Sequence, residues 1–322
     1  MASAATTLAT TALGTTGMQI TRMGFGAWAI GGGNWEFGWG PQDDAESVAA
    51  IERALERGIN WIDTAHAYGF GHSEDVVGRA LAGLGSDRPH VFTKASILND
   101  GTGKVIHSLK RDSVLREAEG SLKRLGVDAI DLYQIHWPDP EPDIEEGWAA
   151  LAELKEQGVV RHIGVSNFDV AQMERIKDIA PVETLQPPYS LVDRAAELAI
   201  LPYAERNATG VIVYSPMASG LLTGTMTRER VASLPDNDWR KTWEEFQEPR
   251  LSRNLALVER LSRVAERHGT TAGAIAIAWT LRNPAVDGAI VGFRRPSQVD
   301  PLIRAAAVRL SDEDVAAIEG RG

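Results

Sequence analysis

Short runs of apolar and β-branched residues alternate along this chain with longer segments whose apolar positions recur every three to four residues. Eight of the short runs predict strands: MGFGAW (23–28), INWIDTA (59–65), VFTKA (91–95), AIDLYQIHW (129–137), HIGVSN (162–167), TLQPPYS (184–190), GVIVYSP (210–216) and GAIVGF (288–293). The helical period falls near 44–57, 73–84, 111–125, 144–157, 169–178, 195–207, 251–268 and 296–306, so each strand is followed by a helix. Repeated strand–helix units build a parallel sheet. Eight of them with no Ser/Gly-rich or Pro-rich linker favour closure into an α/β fold, a (β/α)8 TIM barrel, as one domain over residues 1–322. Three pieces fall outside the repeat: an N-terminal hairpin at 10–20 placed to plug the barrel bottom, a long irregular stretch at about 217–250 read as a lid loop, and added helical material at 271–283 and 311–319.

Chemistry on such a barrel gathers at the carboxyl ends of the strands, and here those ends are polar. The second strand leads into Asp63 and Tyr68, the third into Lys94, the fourth into His136, and the fifth into Ser166 and Asn167. The sixth contains Gln186, the seventh ends at Tyr214 and Ser215, and the eighth at Gly292 followed by Arg294 and Arg295. Each has a bland explanation by itself: Asp63 as a cap, Lys94 as a solvated charge, His136 as a turn residue, Tyr68 as a half-buried amphipath. An acid, a lysine, a tyrosine and a histidine converging on one mouth need a further reason, because such groups perturb one another's ionisation.

Composition narrows the chemistry. The chain has no cysteine, no His/Asp cluster at metal spacing and no Gly-x-Ser-x-Gly elbow, so thiol, metal-dependent and serine acyl-transfer chemistry lose ground and no metal is expected. Acidic residues outnumber basic ones 44 to 33 without a basic stripe, which argues against nucleic acid and anionic membranes as partners. The opening MASAATTLATTALG has neither a basic n-region nor a long apolar core, and no later run reaches the roughly 18 apolar residues of a membrane span. A cytoplasmic, monomeric protein is the expectation.

A phenol is the natural proton donor in this set. Its ordinary pKa of about 10 makes it a weak acid, an adjacent ammonium strengthens it, and a carboxylate keeps that ammonium charged and aimed. Asp63, Lys94 and Tyr68 form such a relay, with His136 hydrogen-bonding a substrate oxygen.

These residues resemble the aldo-keto reductase superfamily over roughly 18–318. GINWIDTAHAYGFGHSEDVVGRAL (58–81) and VVRHIGVSNF (159–168) look like its two signatures, and VFTK (91–94) and DLYQIHWPDP (131–140) match its lysine and histidine strand ends. The resemblance implies reversible NADPH-dependent reduction of an aldehyde or ketone, with NADH as the alternative cofactor. Tyr68 would be the general acid, Asp63 and Lys94 its tuning pair, and His136 the group that orients the carbonyl. Ser166, Asn167 and Gln186 match residues that hold the nicotinamide carboxamide, and Tyr214 matches the aromatic that stacks on its ring. Within SPMASGLL (215–222), residues Ser215, Pro216, Met217, Ser219, Gly220 and Leu221 resemble the pyrophosphate loop. Within GFRRPSQ (292–298), Gly292, Arg294, Arg295 and Gln298 resemble the adenosine-phosphate loop, and two guanidinium groups suit a 2′-phosphate. Trp28 and Asp63 complete the cofactor set. The chain departs from the family pattern at Asp300-Pro301-Leu302, where relatives carry an acid and an amide for adenine, and at Thr225, where a lysine is frequent.

Two Trp-rich stretches, GGGNWEFGWG (31–40) and DWRKTWEEF (238–246), are read as the pocket rim, joined by Trp137. The substrate contacts expected are Trp28, Trp35, Tyr68, His136 and Trp137. A glycosidase would need a second well-placed carboxylate beside Asp63, and the strand ends offer none. A cofactor-binding regulatory subunit, of the kind potassium-channel β-subunits represent, would not need all four catalytic groups.

Overall fold

The computed structural model describes residues 8–33, 35–236 and 238–321. Residues 1–7 of the opening segment lie outside the described residues, as does Asn34 within the first Trp-rich stretch. Eight parallel strands close into a barrel: β1 (Met23–Gly26), β2 (Trp61–Asp63), β3 (His90–Ala95), β4 (Ile130–Ile135), β5 (Val160–Ser166), β6 (Thr184–Gln186), β7 (Gly210–Val213) and β8 (Gly288–Gly292). Closure is made where Ala289–Gly292 of β8 pair with Met23–Gly26 of β1. Apart from VFTKA, the expected strands stop short at their carboxyl ends. TLQPPYS keeps strand geometry only over Thr184–Gln186, since Pro187 and Pro188 have no N–H to donate to a ladder.

The outer ring begins with α1 (Asp44–Glu56), α2 (His72–Leu81), α3 (Arg111–Leu125), α4 (Ile144–Glu156), α5 (Val170–Ile176) and α6 (Ile200–Arg206). Local chemistry explains their starts. Asp43 caps α1 by accepting from the Glu46 N–H, and Asp169 with Gln172 forms a reciprocal capping box on α5. In α1 the buried Ser47, Ala50, Ile51 and Ala54 recur at helical spacing and form the face against the barrel wall. The ring continues with α7 (Arg250–Arg267) and α8 (Ala272–Leu281), and a C-terminal helix spans Asp312–Glu319.

The N-terminal hairpin pairs Thr10–Ala12 with Gln19–Thr21. Its Leu13, Met18 and Ile20 pack with Trp61, Phe92, Leu132, Ile212 and Ile290, so it closes the barrel floor as expected. A second hairpin was not expected: Ile97–Asn99 pairs with Val105–His107 directly after β3. Its signal is the run NDGTG, in which the Asn99 and Asp100 carboxamide and carboxylate accept turn amides from Gly101, Thr102, Gly103 and Lys104. The lid stretch is less irregular than its composition suggests, with helical turns at Leu221–Thr223, Arg228–Ala232, Trp239–Lys241 and Glu244–Phe246.

Candidate active site

Strand periodicity builds the site. Side chains alternate across a strand, so residues two apart share a face. Trp61, Phe92, Leu132 and Ile212 belong to the interior cluster, and Trp61 lies 5.2 Å from Phe92, centroid to centroid. One inward step up each strand gives Asp63, Lys94, Gln134 and Tyr214. The layer changes from apolar to polar within two residues. That is why WIDTAHAYG passes so abruptly from core to acid.

Lys94 is the junction of this upper layer. Its ammonium donates to Asp63 Oδ1 at 2.6 Å, to the Thr64 carbonyl at 2.9 Å and to the Tyr68 hydroxyl oxygen at 3.3 Å. Asp63 Oδ2 accepts from Gln186 Nε2 at 2.9 Å. Asp63 and Lys94 are 2% and 1% exposed, so neither is the surface cap or solvated charge that each would ordinarily be. Burial pushes the Asp63 carboxyl up and the Lys94 ammonium down, and each charge opposes the other's shift. Such a pair holds its charges only together, because removing either leaves an uncompensated ion in the interior.

Tyr68 reaches the same point from the following turn. Gly69, Phe70 and Gly71 all have positive φ (67°, 53° and 102°), which reverses the chain after Tyr68 and starts α2. The Tyr68 pKa is raised well above its ordinary value, first by burial and then by Asp63 and Tyr214. The Lys94 ammonium at 3.3 Å favours the phenolate, and burial of the phenol acts in the opposite direction. The His136 ring lies 5.6 Å from the Tyr68 ring, nearly perpendicular. Burial, with Lys94 next, lowers the His136 pKa well below its ordinary value, so the imidazole is neutral and its Nδ1 has no partner among the described residues. His66 faces away from this group, its Nδ1 3.1 Å from Arg124 Nη2.

Beside the relay, an amide network joins β5, β6 and β7. Ser166 Oγ donates to the Gln186 carbonyl at 2.8 Å, Asn167 Nδ2 donates to the His136 carbonyl at 2.9 Å, and the Tyr214 hydroxyl donates to Asn167 Oδ1 at 2.8 Å. Asn167 adopts the left-handed region (φ 62°), which asparagine tolerates. After β7, Ser215, Ala218, Ser219 and Gly220 also have positive φ, a concentration of unusual backbone of the kind that marks ligand-holding loops.

Comparison with known proteins places the chain in a family. The aldo/keto reductase family matches residues 22–321. The chain belongs to that family. It is 39% identical over 305 residues to an aldo-keto reductase of Bacillus subtilis, covering 94% of this chain and 90% of that one. It is 36% identical over 315 residues to the NADH-specific methylglyoxal reductase of Escherichia coli, covering 94% of each. Among solved structures, the glycerol dehydrogenase of Gluconobacter oxydans superposes with a TM-score of 0.87 at 38% identity, over 97% of this chain and 94% of that one. The chain is thus an oxidoreductase of the nicotinamide-dependent aldo/keto reductase type.

In this reductase the first and seventh loops meet over the relay. Trp28 lies 6.5 Å from Tyr68, 5.9 Å from Trp39 and 5.5 Å from Trp239, on which it stacks, and Trp35 lies 6.2 Å from Tyr68. Trp137, expected to join them, is 43% exposed and forms no aromatic pair among the described residues. The expected two-arginine clamp is also altered. Arg294 donates to Gln42 Oε1, the Pro41 carbonyl and the Trp39 carbonyl, tying the eighth loop to the first. Arg295 remains 67% exposed, with the Glu46 carboxylate 4.0 Å from its Nε. Asp300 is held by Arg53 and Arg57, each at 2.8 Å.

Two residues of this layer escaped the sequence reading. Arg240 pairs with Asp238 at 2.6 Å, lies 4.4 Å over the Trp39 ring and donates to the Ser219 carbonyl at 3.3 Å, so it connects lid, first loop and the 215–222 loop. Nothing local distinguishes it from other lid arginines. Gln134, one inward step before His136, is wholly buried with its amide unpaired among the described residues. Its period-2 position was the available signal.

Proposed function

We propose that this reductase converts a small aldehyde or ketone reversibly to the alcohol, with Tyr68 as the proton donor to the carbonyl oxygen. The observation that carries the assignment is the Lys94 ammonium in contact with both Asp63 and Tyr68. A bound dihydronicotinamide supplies the hydride. Neutral His136 donates a hydrogen bond to the substrate oxygen and holds it at the phenol. As the proton leaves Tyr68, negative charge grows on its oxygen 3.3 Å from the Lys94 ammonium, which stabilises it more strongly in this water-excluded place than in solution. Asp63 keeps Lys94 charged and, through Gln186, links the relay to the amide network.

The residues present fit a nicotinamide dinucleotide. Tyr214, Asn167, Ser166 and Gln186 offer a ring face and amide partners side by side. Ser215, Pro216, Met217, Ser219, Gly220 and Leu221 supply the wrapped loop for the pyrophosphate. At Gly292 an added Cβ would meet nothing closer than 4.0 Å, so the end of β8 is open to a close ligand. Arg295 favours NADPH through its exposed guanidinium, for which a 2′-phosphate would compete with Glu46. The relatives' names support a small substrate, since one is called a methylglyoxal reductase and another a glycerol dehydrogenase.

The test is oxidation of NADPH and of NADH with a panel of carbonyl compounds. Tyr68→Phe should lower kcat by about 10²–10⁴-fold with cofactor binding intact, the usual value of positioned acid catalysis. Unchanged kcat would remove Tyr68 from the mechanism. Arg295→Ala should raise the KM for NADPH and leave that for NADH, whereas Arg294→Ala should raise both, because Arg294 holds the first loop.

A further inference from the structure

Seven of the nine tryptophans divide sharply by the state of their indole N–H groups. In the body of the fold, Trp61 donates to the Thr21 carbonyl at 2.8 Å, Trp148 to the Ala180 carbonyl at 3.0 Å and Trp279 to Glu319 Oε1 at 3.1 Å. At the mouth, the N–H groups of Trp28, Trp35, Trp39 and Trp239 are equally shut off from solvent and have no acceptor among the described residues. A buried donor without a partner costs about 1–3 kcal/mol, and buried Trp N–H groups normally find one. Four orphans in a single aromatic cluster over the relay mark a place where acceptors arrive with a ligand.

Position separates the four. Trp39 and Trp239 adjoin Arg240, which contacts the Ser219 carbonyl and so sides with the cofactor loop. Trp28 and Trp35 are the two whose rings lie against Tyr68, at 6.5 and 6.2 Å. Resting on the reading of Tyr68 as the proton donor, we propose that the Trp28 and Trp35 indole N–H groups donate to a second oxygen of the substrate, next to the reacting carbonyl. The site then selects compact α-oxygenated carbonyl compounds, such as α-oxoaldehydes and α-hydroxy aldehydes and ketones, over their hydrocarbon counterparts. A methyl group in that place leaves both donors buried and unpaired.

The experiment compares kcat/KM for matched pairs, hydroxyacetone against butanone and glycolaldehyde against propanal, each corrected for its hydrated fraction. The wild type should favour the oxygenated member by about tenfold or more, the equivalent of one such unsatisfied donor. Trp35→Phe and Trp28→Phe, which keep an aromatic ring without the N–H, should each shrink that ratio. Equal kcat/KM within the pairs in the wild type, or an unchanged ratio in both variants, overturns the proposal. If one variant fails to fold, the other decides. Absence of turnover with every carbonyl would instead refute the reductase reading. In that event tryptophan fluorescence titrated with propane-1,2-diol and with propan-1-ol decides: tighter diol binding, lost in the variants, supports the donor pair, and equal binding overturns it.

Discussion

Lys94 shows why the four polar groups act as one unit. Its ammonium is wholly enclosed and its three donors meet Asp63, the Thr64 carbonyl and Tyr68. Lys94→Met removes the charge that stabilises a departing proton's phenolate and leaves Asp63 buried without its counter-ion. We expect kcat to fall by at least about 10²-fold and the melting temperature to drop, because breaking a buried pair typically costs 3–5 kcal/mol. Steady-state kinetics and thermal unfolding measure the two separately. If activity fell alone, the pair would contribute to catalysis without holding the fold. The sequence placed all four groups at strand ends. It did not show how deeply the phenol is buried, because desolvation depends on how the assembled loops cover the mouth.

At the scale of elements, the turn between β2 and α2 decides where the phenol sits. Gly69 has φ 67°, and an added Cβ there would lie 2.0 Å from the Gly31 carbonyl oxygen. Gly69→Ala should therefore move Tyr68 or the first loop, lowering kcat/KM by an order of magnitude or more and destabilising the fold by about 1–3 kcal/mol, the usual cost of overpacking. Full activity with an unchanged melting temperature would show that the turn relaxes freely. The long loops carry what sequence pattern did not reveal. Trp239 and Arg240 lie more than two hundred residues from Trp28 and Trp39, and their stacking across the mouth follows from barrel closure rather than from any local signal.

For the whole molecule, buried carboxyls set the dependence of stability on pH. Burial raises Asp131, but hydrogen bonds from His90, Arg88 and the Val91 N–H outweigh it and hold the carboxyl at about 2. Burial likewise raises Glu183, and bonds from His162, Lys155 and the Ile163 N–H bring it to about 2. Their stabilisation is present above the ordinary carboxylate range and is lost as pH falls toward 2. Glu117 acts in the opposite sense. Buried on the inner face of α3, with the Ser96 N–H and the Ser113 hydroxyl as its donors among the described residues, it is pushed from 4.5 up to about 8, chiefly by burial. The folded state then holds a proton that the unfolded chain has released, so stability falls as pH rises from 4.5 through 8. Glu117→Gln should raise the melting temperature relative to wild type increasingly across that interval and little below it. A constant difference at every pH would assign the effect to packing instead.

Alternation of apolar and polar positions was enough to determine the eight strand–helix units, the floor hairpin and the polar strand ends, because side-chain period is a local property of the backbone. The motifs carried the family as well, since Asp63, Tyr68, Lys94 and His136 lie in short segments around residues whose spacing is set by strand and turn geometry. Tertiary structure alone decided which groups touch. It turned Arg294 toward the first loop and left Arg295 largely exposed beside Glu46, kept Trp137 out of the aromatic cluster, brought Arg240 and Trp239 over the site, and left four of the mouth's indole N–H groups without acceptors among the described residues. These outcomes depend on distances between segments far apart in the chain and on the exclusion of water between them, and neither is encoded in any one segment.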